Sequence, residues 1–443
     1  MAFRFTTRAG HPTFVDLPWD QPLTEWTSER LVSPVRGISR HVVRFVAYGP
    51  DVYALKELPG RLAAREYQLL RALAERSMPV VEAVGTATGR TAADGEALDD
   101  VLITHHLQYS LPYRALFSRV SLVDLWEPLL DALAQLLTRA HLAGFFWGDC
   151  SLSNTLFRRD AGALAAYLVD AETGELHGRI SDGQRRHDLE IAEMNVAGEL
   201  LDILAAEQEA AAHGVTAEHE AATGGVAAGL AADDPRLEPA TVAEDLRRRY
   251  EGLWHELTTV EVFGAGEEWR VADRVRRLNE LGFDVDELEL VDDPSDPDSH
   301  RLRLTTRVVE QGHHRRRLLQ LTGLDVQENQ ARRLLNDILA FRAALERRTG
   351  HPVPDQIGAL RWMVEVFEPT MAAVPDELRA KLEDAEIFHQ VLEHRWFLSE
   401  AAGTDIGTAA AVADYLEGVL PAVGDERTVL APPVTGEFPA TPS

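Results

Sequence analysis

Hydrophobic and polar residues alternate in short runs near the start of the chain. Three consecutive runs are separated by turns: 31–36, 41–48 and 51–58. The turns contain Gly37 and Gly49, and short runs divided in this way are typical of an antiparallel meander. A segment with helical spacing follows at 61–73, and two further strand-like runs follow at 78–85 and 101–105.

The next long segment predicts a helix that leads into a polar loop. Between 122 and 143, leucines recur with helical spacing on one face: Leu125, Leu129, Leu133, Leu136 and Leu137. A tight turn at Gly148 follows, then a polar loop to Asn154, and then two apolar runs at 155–157 and 166–169. Turn residues between these runs, at 158–162, predict a small hairpin.

After residue 205 the composition shifts, which predicts a linker followed by a second, mostly helical part. Residues 205–239 are rich in alanine, glycine and acidic residues. Helical patterns then occur at 243–257, 268–281, 327–348, 355–370, 376–399 and 406–419. Two alternating runs, 287–291 and 301–309, predict a hairpin, and the Pro- and Thr-rich segment after Val423 is expected to be disordered.

Composition and charge narrow the classes of partner. The chain has 443 residues and a formal net charge of −28, which argues against nucleic acid or anionic membranes as partners because both require basic surfaces. A single cysteine, Cys150, excludes an intrachain disulfide and indicates a reducing compartment. The sequence shows no basic leader followed by an apolar run and no long apolar segment. We therefore expect a cytoplasmic protein without a transmembrane span.

Three oxygen-bearing side chains lie at loop and strand ends near the predicted hairpin. Asp149 and Asn154 belong to the polar loop, and Asp170 follows the second strand. Converging carboxylate and amide oxygens suit a hard cation such as Mg²⁺, which prefers a few protein oxygens together with phosphate oxygens and water. The loop therefore predicts phosphate chemistry, although a Gly-Asp turn and a nearby asparagine also occur as ordinary turn residues.

The spacing from Asp149 to Asn154 and on to Asp170 resembles the catalytic loop and metal-binding segment of the protein-kinase-like superfamily. The Gly148-Asp149 pair is closer to its small-molecule and lipopolysaccharide kinases than to ordinary protein kinases. The resemblance implies that Asp149 orients or deprotonates an acceptor hydroxyl, and that Asn154 and Asp170 hold Mg²⁺ on the phosphates of ATP. It also implies that Asp188 braces the catalytic loop; N-capping of a helix is a compatible reading.

Upstream residues extend the resemblance. Lys56 lies on a strand flanked by apolar residues and Glu66 on the following helix, which is similar to the lysine and glutamate that anchor nucleotide phosphates in kinases. By the same resemblance the turn with Gly37 and Ser39 covers the phosphates. The turn is a weak motif because it contains one glycine and lacks the full glycine-rich signature.

The segment 104–108 falls where the resemblance places the hinge that pairs with adenine. His105 and Leu107 are the nucleotide-binding candidates there, through the backbone. His105 and His106 also invite a metal-site interpretation, but no carboxylate or cysteine stands at a matching spacing.

The implied fold class is α+β, with a bilobal protein-kinase-like domain followed by a mostly helical domain that contains a β-hairpin. We expect these divisions: an N-terminal arm 1–30, a kinase-like domain 31–205 (small lobe 31–107, large lobe 108–205), a linker 206–239, a helical C-terminal domain 240–422 and a tail 423–443. Residues 245–254 and 393–398 resemble the uncharacterised C-terminal domain that accompanies a bacterial lipopolysaccharide-kinase-like region. The basic cluster 313–317 is interpreted as a solvated helix face in preference to a site for a phosphate-bearing ligand or acidic partner.

Departures from the kinase pattern leave two functions open. Ser151 stands where protein kinases place a lysine beside the transferred phosphate, and Trp147 replaces a histidine. Glu172 either adds a metal ligand or caps a turn, and the turn is favoured slightly. The first function is an ATP- and Mg²⁺-dependent phosphotransferase acting on a hydroxyl of a small molecule, sugar or lipid head group. The alternative is a pseudokinase-like module that recruits a protein partner through its C-terminal domain.

Overall fold

The first sheet of the protein is antiparallel and has one strand more than the sequence pattern predicts. Its strands are β1 Arg4–Thr7, β2 Leu31–Val32, β3 Val43–Tyr48, β4 Asp51–Leu58, β5 Glu82–Thr88 and β6 Asp100–His105. They lie in the order β1-β5-β6-β4-β3-β2. The predicted meander is therefore confirmed, and the two later strands lie on one side of it.

The structure is a computed structural model. It describes residues 3–33, 40–117, 122–212, 235–259, 261–263, 278, 283–285, 288–292, 300–304, 308–379, 381–404 and 406–427. Gly37 and Ser39, most of the predicted helix at 268–281 and the tail from residue 428 onward lie outside them.

The N-terminal arm contributes an edge strand to this sheet. Arg4 of β1 pairs with Thr88 of β5. The aromatic residues of the arm are the reason that it stays on the sheet: Phe14 and Trp26 are buried in a cluster with residues of the strands. The arm therefore lies against the first sheet, and it begins with a strand.

A helix packs on the same sheet. Helix α1, Leu62–Glu75, buries Tyr67, Leu70 and Leu73, which share one face at helical spacing. Glu66 lies on that face as well. The apolar periodicity thus turns a carboxylate toward the sheet and toward the strand that carries Lys56.

The large lobe is mainly helical and contains a hairpin. Its elements are β7 Ser110–Pro112, α2 Tyr113–Phe117, α3 Leu122–Leu142, β8 Phe145–Phe146, β9 Thr155–Asp160, β10 Ala163–Leu168, β11 Glu175–Leu176 and α4 Asp182–Ala212. The predicted leucine face of α3 is buried. Strands β9 and β10 form the predicted hairpin, and β7 adds a third strand beside β9.

The hairpin is longer than predicted. Its turn is confined to Ala161 and Gly162, whereas the sequence pattern placed Arg158 and Arg159 in the turn. Both arginines instead lie on β9 and pair with carboxylates of the C-terminal part, Glu383 and Glu426. Their charge therefore reflects a contact between distant segments, which local pattern does not reveal.

Helix α5, Pro239–Thr258, packs against α3 and α4. The sequence analysis grouped this helix with the second domain. Its buried residues Val242, Leu246 and Tyr250 instead belong to the hydrophobic core of the large lobe. The α5 face was correctly identified as apolar, but its packing partner follows from the tertiary fold.

The C-terminal part begins with short strands and continues as helices. The strands are β12 Glu261–Phe263, β13 Phe283–Val285, β14 Leu288–Asp292, β15 His300–Leu304 and β16 Val308–Gln311, with β14 and β15 forming the predicted hairpin. The helices are α6 His313–Thr322, α7 Glu328–Thr349, α8 Asp355–Trp362, α9 Glu368–Ala372, α10 Asp384–Ala402 and α11 Thr408–Asp414. Single π turns, Met363–Phe367 and Tyr415–Val419, adjoin α8 and α11.

The apolar side chains form separate cores on the two sides of the molecule. One contains residues of α1, the hairpin, α3, α4 and α5, and another contains residues of α6 to α11. In the described part of the chain, no helix is long and apolar enough to cross a membrane.

Two glycines with the same backbone conformation provide a test of this packing. Gly144 has φ +79 and Gly162 has φ +82, but an added Cβ at Gly144 would lie 2.4 Å from the carbonyl oxygen of His177, whereas at Gly162 nothing lies within 4 Å. We expect Gly162→Ala to cost roughly 1–2 kcal/mol of unfolding free energy from φ strain alone. Gly144→Ala is expected to cost about 1–3 kcal/mol more through overpacking.

Urea unfolding followed by tryptophan fluorescence measures both variants under the same conditions. Equal losses for Gly144→Ala and Gly162→Ala would contradict the close contact between the end of α3 and the segment at His177.

Candidate functional site

A buried carboxylate fixes the loop between β8 and β9. Asp188 on α4 is fully buried and accepts hydrogen bonds from the backbone N–H groups of Trp147 (2.6 Å) and Gly148 (2.8 Å). The ring of His141 lies 3.0 Å from the same carboxylate. The prediction that Asp188 braces this loop is confirmed. N-capping does not apply, because α4 already begins at Asp182.

A second carboxylate on α4 holds the far side of the loop. Glu199 accepts hydrogen bonds from the backbone N–H groups of Leu152 and Ser153, both at 2.8 Å, and from the Ser153 hydroxyl. The sequence analysis missed Glu199. The available signal was its spacing, because residues seven and eleven positions after Asp188, namely Asn195 and Glu199, share one face of a helix.

The Asp149 carboxylate is held from several sides. Asn154 donates from Nδ2 to Asp149 Oδ2 (3.1 Å), and Asn195 donates from Nδ2 to Oδ1 (3.2 Å). Arg40, on the segment before β3, donates to Oδ2 at 2.7 Å. Asn195 and Arg40 were not predicted, since both reach Asp149 from distant parts of the chain. The carboxylate thus has a fixed orientation toward the opening.

Lys56 on β4 is the centre of a charged cluster. Its ammonium lies 2.7 Å from Asp170 Oδ2, 3.2 Å from Glu66 Oε2 and 3.6 Å from Glu172 Oε2. The predicted pairing of Lys56 with Glu66 is present. Glu66 is 1% exposed and also accepts a hydrogen bond from the Ala171 N–H at 3.2 Å, so the carboxylate links α1 to the segment after β10.

The pKa values in this cluster follow from its composition, which is one ammonium group, Lys56, among the carboxylates of Glu66, Asp170 and Glu172. Burial raises the pKa of Glu66, and the neighbouring Asp170 carboxylate raises it further, while Lys56 lowers it only in part. Burial acts to lower the pKa of Lys56, but the Glu66 and Asp170 charges outweigh it and the pKa is raised. Lys56 is therefore firmly charged, and the cluster retains an excess of negative charge that suits a cation.

The residues at this cluster fit a divalent metal. Ligand oxygens of Glu66, Asp170 and Glu172 lie within 4.8 Å of one another. Glu172 lies in the backbone turn that the sequence analysis favoured, since the Gly174 N–H bonds to the Ala171 carbonyl. Its side chain nevertheless faces the cluster, 2.7 Å from His41. A set of carboxylate oxygens is the chemistry that Mg²⁺ prefers.

Asn154 and Asp170 flank the base of the hairpin. The Val169 N–H donates to the Asn154 carbonyl at 3.1 Å, which continues the β9–β10 pairing by one step. Asn154 precedes β9 and Asp170 follows Val169, so their relative position depends on the register of this hairpin.

A cavity of about 520 Å³ connects these groups. The predicted site residues that line it are Lys56, Glu66, His105, Leu107, Asp149, Asn154 and Asp170. Apolar side chains from both lobes, including Val43, Leu102 and Leu156, also line it. The arrangement combines an apolar wall, an anchored ammonium and converging oxygens, and Gly37 and Ser39 lie outside the described residues.

The two parts of the chain match different family models. Residues 47–209 match the model of the lipopolysaccharide kinase (Kdo/WaaP) family. This region is lipopolysaccharide-kinase-like. Residues 252–420 match a domain of unknown function (DUF4032). The predicted resemblance and the kinase-like fold class are therefore confirmed, and no curated protein matches the chain.

Two solved structures are similar to parts of the chain. One is described as WaaP in complex with acyl carrier protein; it is 17% identical, has a TM-score of 0.31, and the alignment covers 56% of this chain and 89% of that one. The other is the BubR1 kinase domain, at 14% identity and a TM-score of 0.27, covering 37% of this chain and 53% of that one.

The brace at Glu199 generates a direct test. We expect Glu199→Ala to free the Leu152 and Ser153 amides and to raise hydrogen exchange in the kinase-like loop 150–154, because both N–H groups lose their acceptor. Hydrogen-exchange mass spectrometry measures this. The matched control is Asp202→Ala, an exposed carboxyl on the same helix. Unchanged exchange in the Glu199 variant would contradict the brace.

His106 provides a prediction on pH. Burial, with a smaller effect of His105, lowers the pKa of His106 to about 4 from 6.5. The folded state then binds fewer protons than the unfolded state. The contribution of His106 to the free energy of unfolding is therefore fully present above pH 6.5 and is lost as the pH falls through 4. We expect His106→Asn to reduce the fall in Tm over this range. His187→Asn, at an exposed histidine of α4, is the control, and an unchanged slope for His106→Asn would contradict the prediction.

Proposed function

We propose that the protein is an ATP- and Mg²⁺-dependent phosphotransferase that transfers a phosphoryl group to a hydroxyl acceptor. The acceptor class proposed is a small molecule, sugar or lipid head group. The observation that carries the proposal is the convergence of Lys56, Glu66, Asp149, Asn154 and Asp170 on one cavity of about 520 Å³. These residues come from a strand, a helix, a loop and the two ends of a hairpin.

The rarity of lysine in this chain supports the proposed role of Lys56, in addition to its position in the site. Of the 44 Lys and Arg residues in the chain, only Lys56 and Lys381 are lysines. A compact ammonium and a planar guanidinium are not interchangeable at a crowded site. The presence of a lysine at this position, in a chain that otherwise uses arginine, favours a specific role in binding phosphate oxygens.

Each residue of the site has a role in the proposed reaction. Asp149 accepts the proton of the acceptor hydroxyl, and its orientation is held by Asn154 and Asn195. Lys56, positioned by Glu66, binds the phosphates. Of the carboxylates that fit a metal, Asp170 would hold Mg²⁺ together with the Asn154 amide oxygen, and the metal would neutralise charge on the phosphate oxygens.

Arg40 supplies the positive charge at the acceptor end of the site. This proposal is supported by the guanidinium of Arg40, which lies 2.7 Å from the Asp149 carboxylate, whereas Ser151 carries no charge. Positive charge near the transferred group stabilises the transition state. Arg40 therefore compensates for the serine at position 151.

The first experiment is a thermal-shift titration with ATP and Mg²⁺. A ligand that binds the native state raises Tm by mass action, so we expect the wild type to gain several degrees when both are present. Lys56→Ala and Asp170→Ala are expected to lose this gain. Lys381→Ala, which removes the other lysine of the chain, is the control and keeps it.

A wild type that shows no shift at saturating ATP and Mg²⁺ would overturn the proposed phosphotransferase. The pseudokinase-like alternative, with a protein partner recruited by the C-terminal domain, would then take its place.

A further inference from the structure

The hairpin β9–β10 has two ends with different surroundings. Its base carries Asn154 and Asp170, which face the cavity described above. Its turn, at Ala161-Gly162, lies against the helices of the C-terminal domain, residues 313–427. The same two strands therefore connect the proposed metal site with a domain of unknown function.

Asp160, the last residue of β9, caps a helix of the C-terminal domain. Its carboxylate is 3% exposed and accepts hydrogen bonds from the backbone N–H of Asn329 (3.1 Å), from Asn329 Nδ2 (3.1 Å) and from the backbone N–H of Gln330 (2.8 Å). Both amides belong to the first turn of α7, whose N–H groups have no partner within the helix. Gln327 and Gln330 also form a capping box at this helix end, so Asp160 adds a second acceptor from the large lobe to a cap that the C-terminal domain supplies itself.

Glu386 on α10 completes the contact. It is 4% exposed and accepts hydrogen bonds from the Ala161 N–H (3.1 Å) and from Gln330 Nε2 (3.0 Å). Gln330 also donates to the Arg159 carbonyl at 3.2 Å. The turn is therefore tied to α7 and α10 through buried polar groups, which are costly to leave without a partner.

One ion pair and one hydrogen bond lie beside this buried contact. Arg158 lies 2.7 Å from Glu383, and the Tyr167 hydroxyl donates to Gln327 at 2.6 Å. These groups are more accessible to water than Asp160 and Glu386, so we assign them a smaller share of the contact.

The contact depends on these polar groups more than on apolar packing. The buried apolar residues of the large lobe and of the C-terminal helices form separate clusters. A cavity of about 890 Å³ lies between the two sides, with Arg158, Asp160, Tyr167 and Gln327 among its lining residues. Because the sides are not fused by a common core, removing a few hydrogen bonds is expected to loosen the hairpin.

We propose that the C-terminal domain acts as an intramolecular clamp on the hairpin, and that Asp160 and Glu386 are positioning residues for Asn154 and Asp170. This inference rests on the proposed function only for the identity of the ligand. The hairpin shares the large-lobe core through Phe157, Leu164 and Leu168, and the buried hydrogen bonds at its turn add a second restraint on the register of the same two strands. The clamp is reciprocal: a ligand that orders the base stabilises the contact with α7 and α10.

The first arm of the test needs no nucleotide. Hydrogen-exchange mass spectrometry on the full chain compares Asp160→Ala and the milder Asp160→Asn with the wild type. We expect faster exchange in the peptide that spans Asn154 and in the peptide that spans Asp170. The matched control is Glu328→Gln, because Glu328 also caps a helix but bonds within the C-terminal domain, to His314 and Arg315.

The second arm measures ATP binding with and without Mg²⁺ by calorimetry. Asp160→Ala and Glu386→Ala are expected to weaken Mg²⁺-dependent binding by about 5- to 20-fold, in the usual range of coupling between sites. ATP binding without metal changes little, because Lys56 and the apolar walls do not belong to the hairpin turn. Glu328→Gln is expected to bind as the wild type does. A uniform loss with and without metal would indicate general destabilisation and overturn the clamp.

The outcomes separate the two proposals. Unchanged exchange at the hairpin base in a folded Asp160→Ala variant overturns the clamp, whatever the wild type binds. Changed exchange together with a wild type that does not bind ATP and Mg²⁺ supports the clamp and overturns the phosphotransferase. Changed exchange with undiminished Mg²⁺-dependent binding overturns the positioning role of Asp160.

Discussion

The architecture around the proposed phosphate site depends on the buried carboxylate of Asp188. A charge removed from water is tolerated only when hydrogen bonds replace its hydration. Asp188 obtains them from the loop at Trp147 and Gly148 and from His141. Burial lowers the pKa of His141, so a neutral ring donates to Asp188 through Nε2 and accepts at Nδ1 from the Tyr250 hydroxyl, 2.6 Å away. One chain of polar contacts therefore joins the loop after β8 to α3, α4 and α5.

Much of the fold and most of the candidate site could be predicted because their signals are local. Lys56 stands within an alternating strand, Glu66 on the apolar face of a helix, and Asn154 and Asp170 at the two ends of a hairpin. For Lys56 and Glu66 the period of the surrounding residues determines which way the side chain points. The resemblance of their order to that of kinases then implied that they meet at one site, and the structure places them around one cavity.

The remaining features arise from contacts between distant segments. The strand at Arg4–Thr7 exists because it can pair with β5, and α5 packs on the large lobe because α3 and α4 leave an apolar face there. Arg158 and Arg159 have the local pattern of turn residues. Their carboxylate partners, Glu383 and Glu426, lie far away in the sequence and are seen only in the structure. Asn195 and Glu199 could be recognised only by aligning α4 on Asp188. Tertiary context decides all of these, and propensity has little influence on them.

The position of α5 also has a consequence for synthesis on the ribosome. Domains generally fold as units while the chain emerges, beginning at the N-terminus. Leu246 and Tyr250 complete the core of the large lobe. The segment that matches the kinase family ends at residue 209, so its emergence alone does not supply all the residues of this core. The lobe can close once α5 has left the exit tunnel, before α7 and α10 have been translated. The end of the nascent hairpin, with Arg158 and Arg159 close to its turn, then remains exposed to solvent until the helices that bind it have been translated.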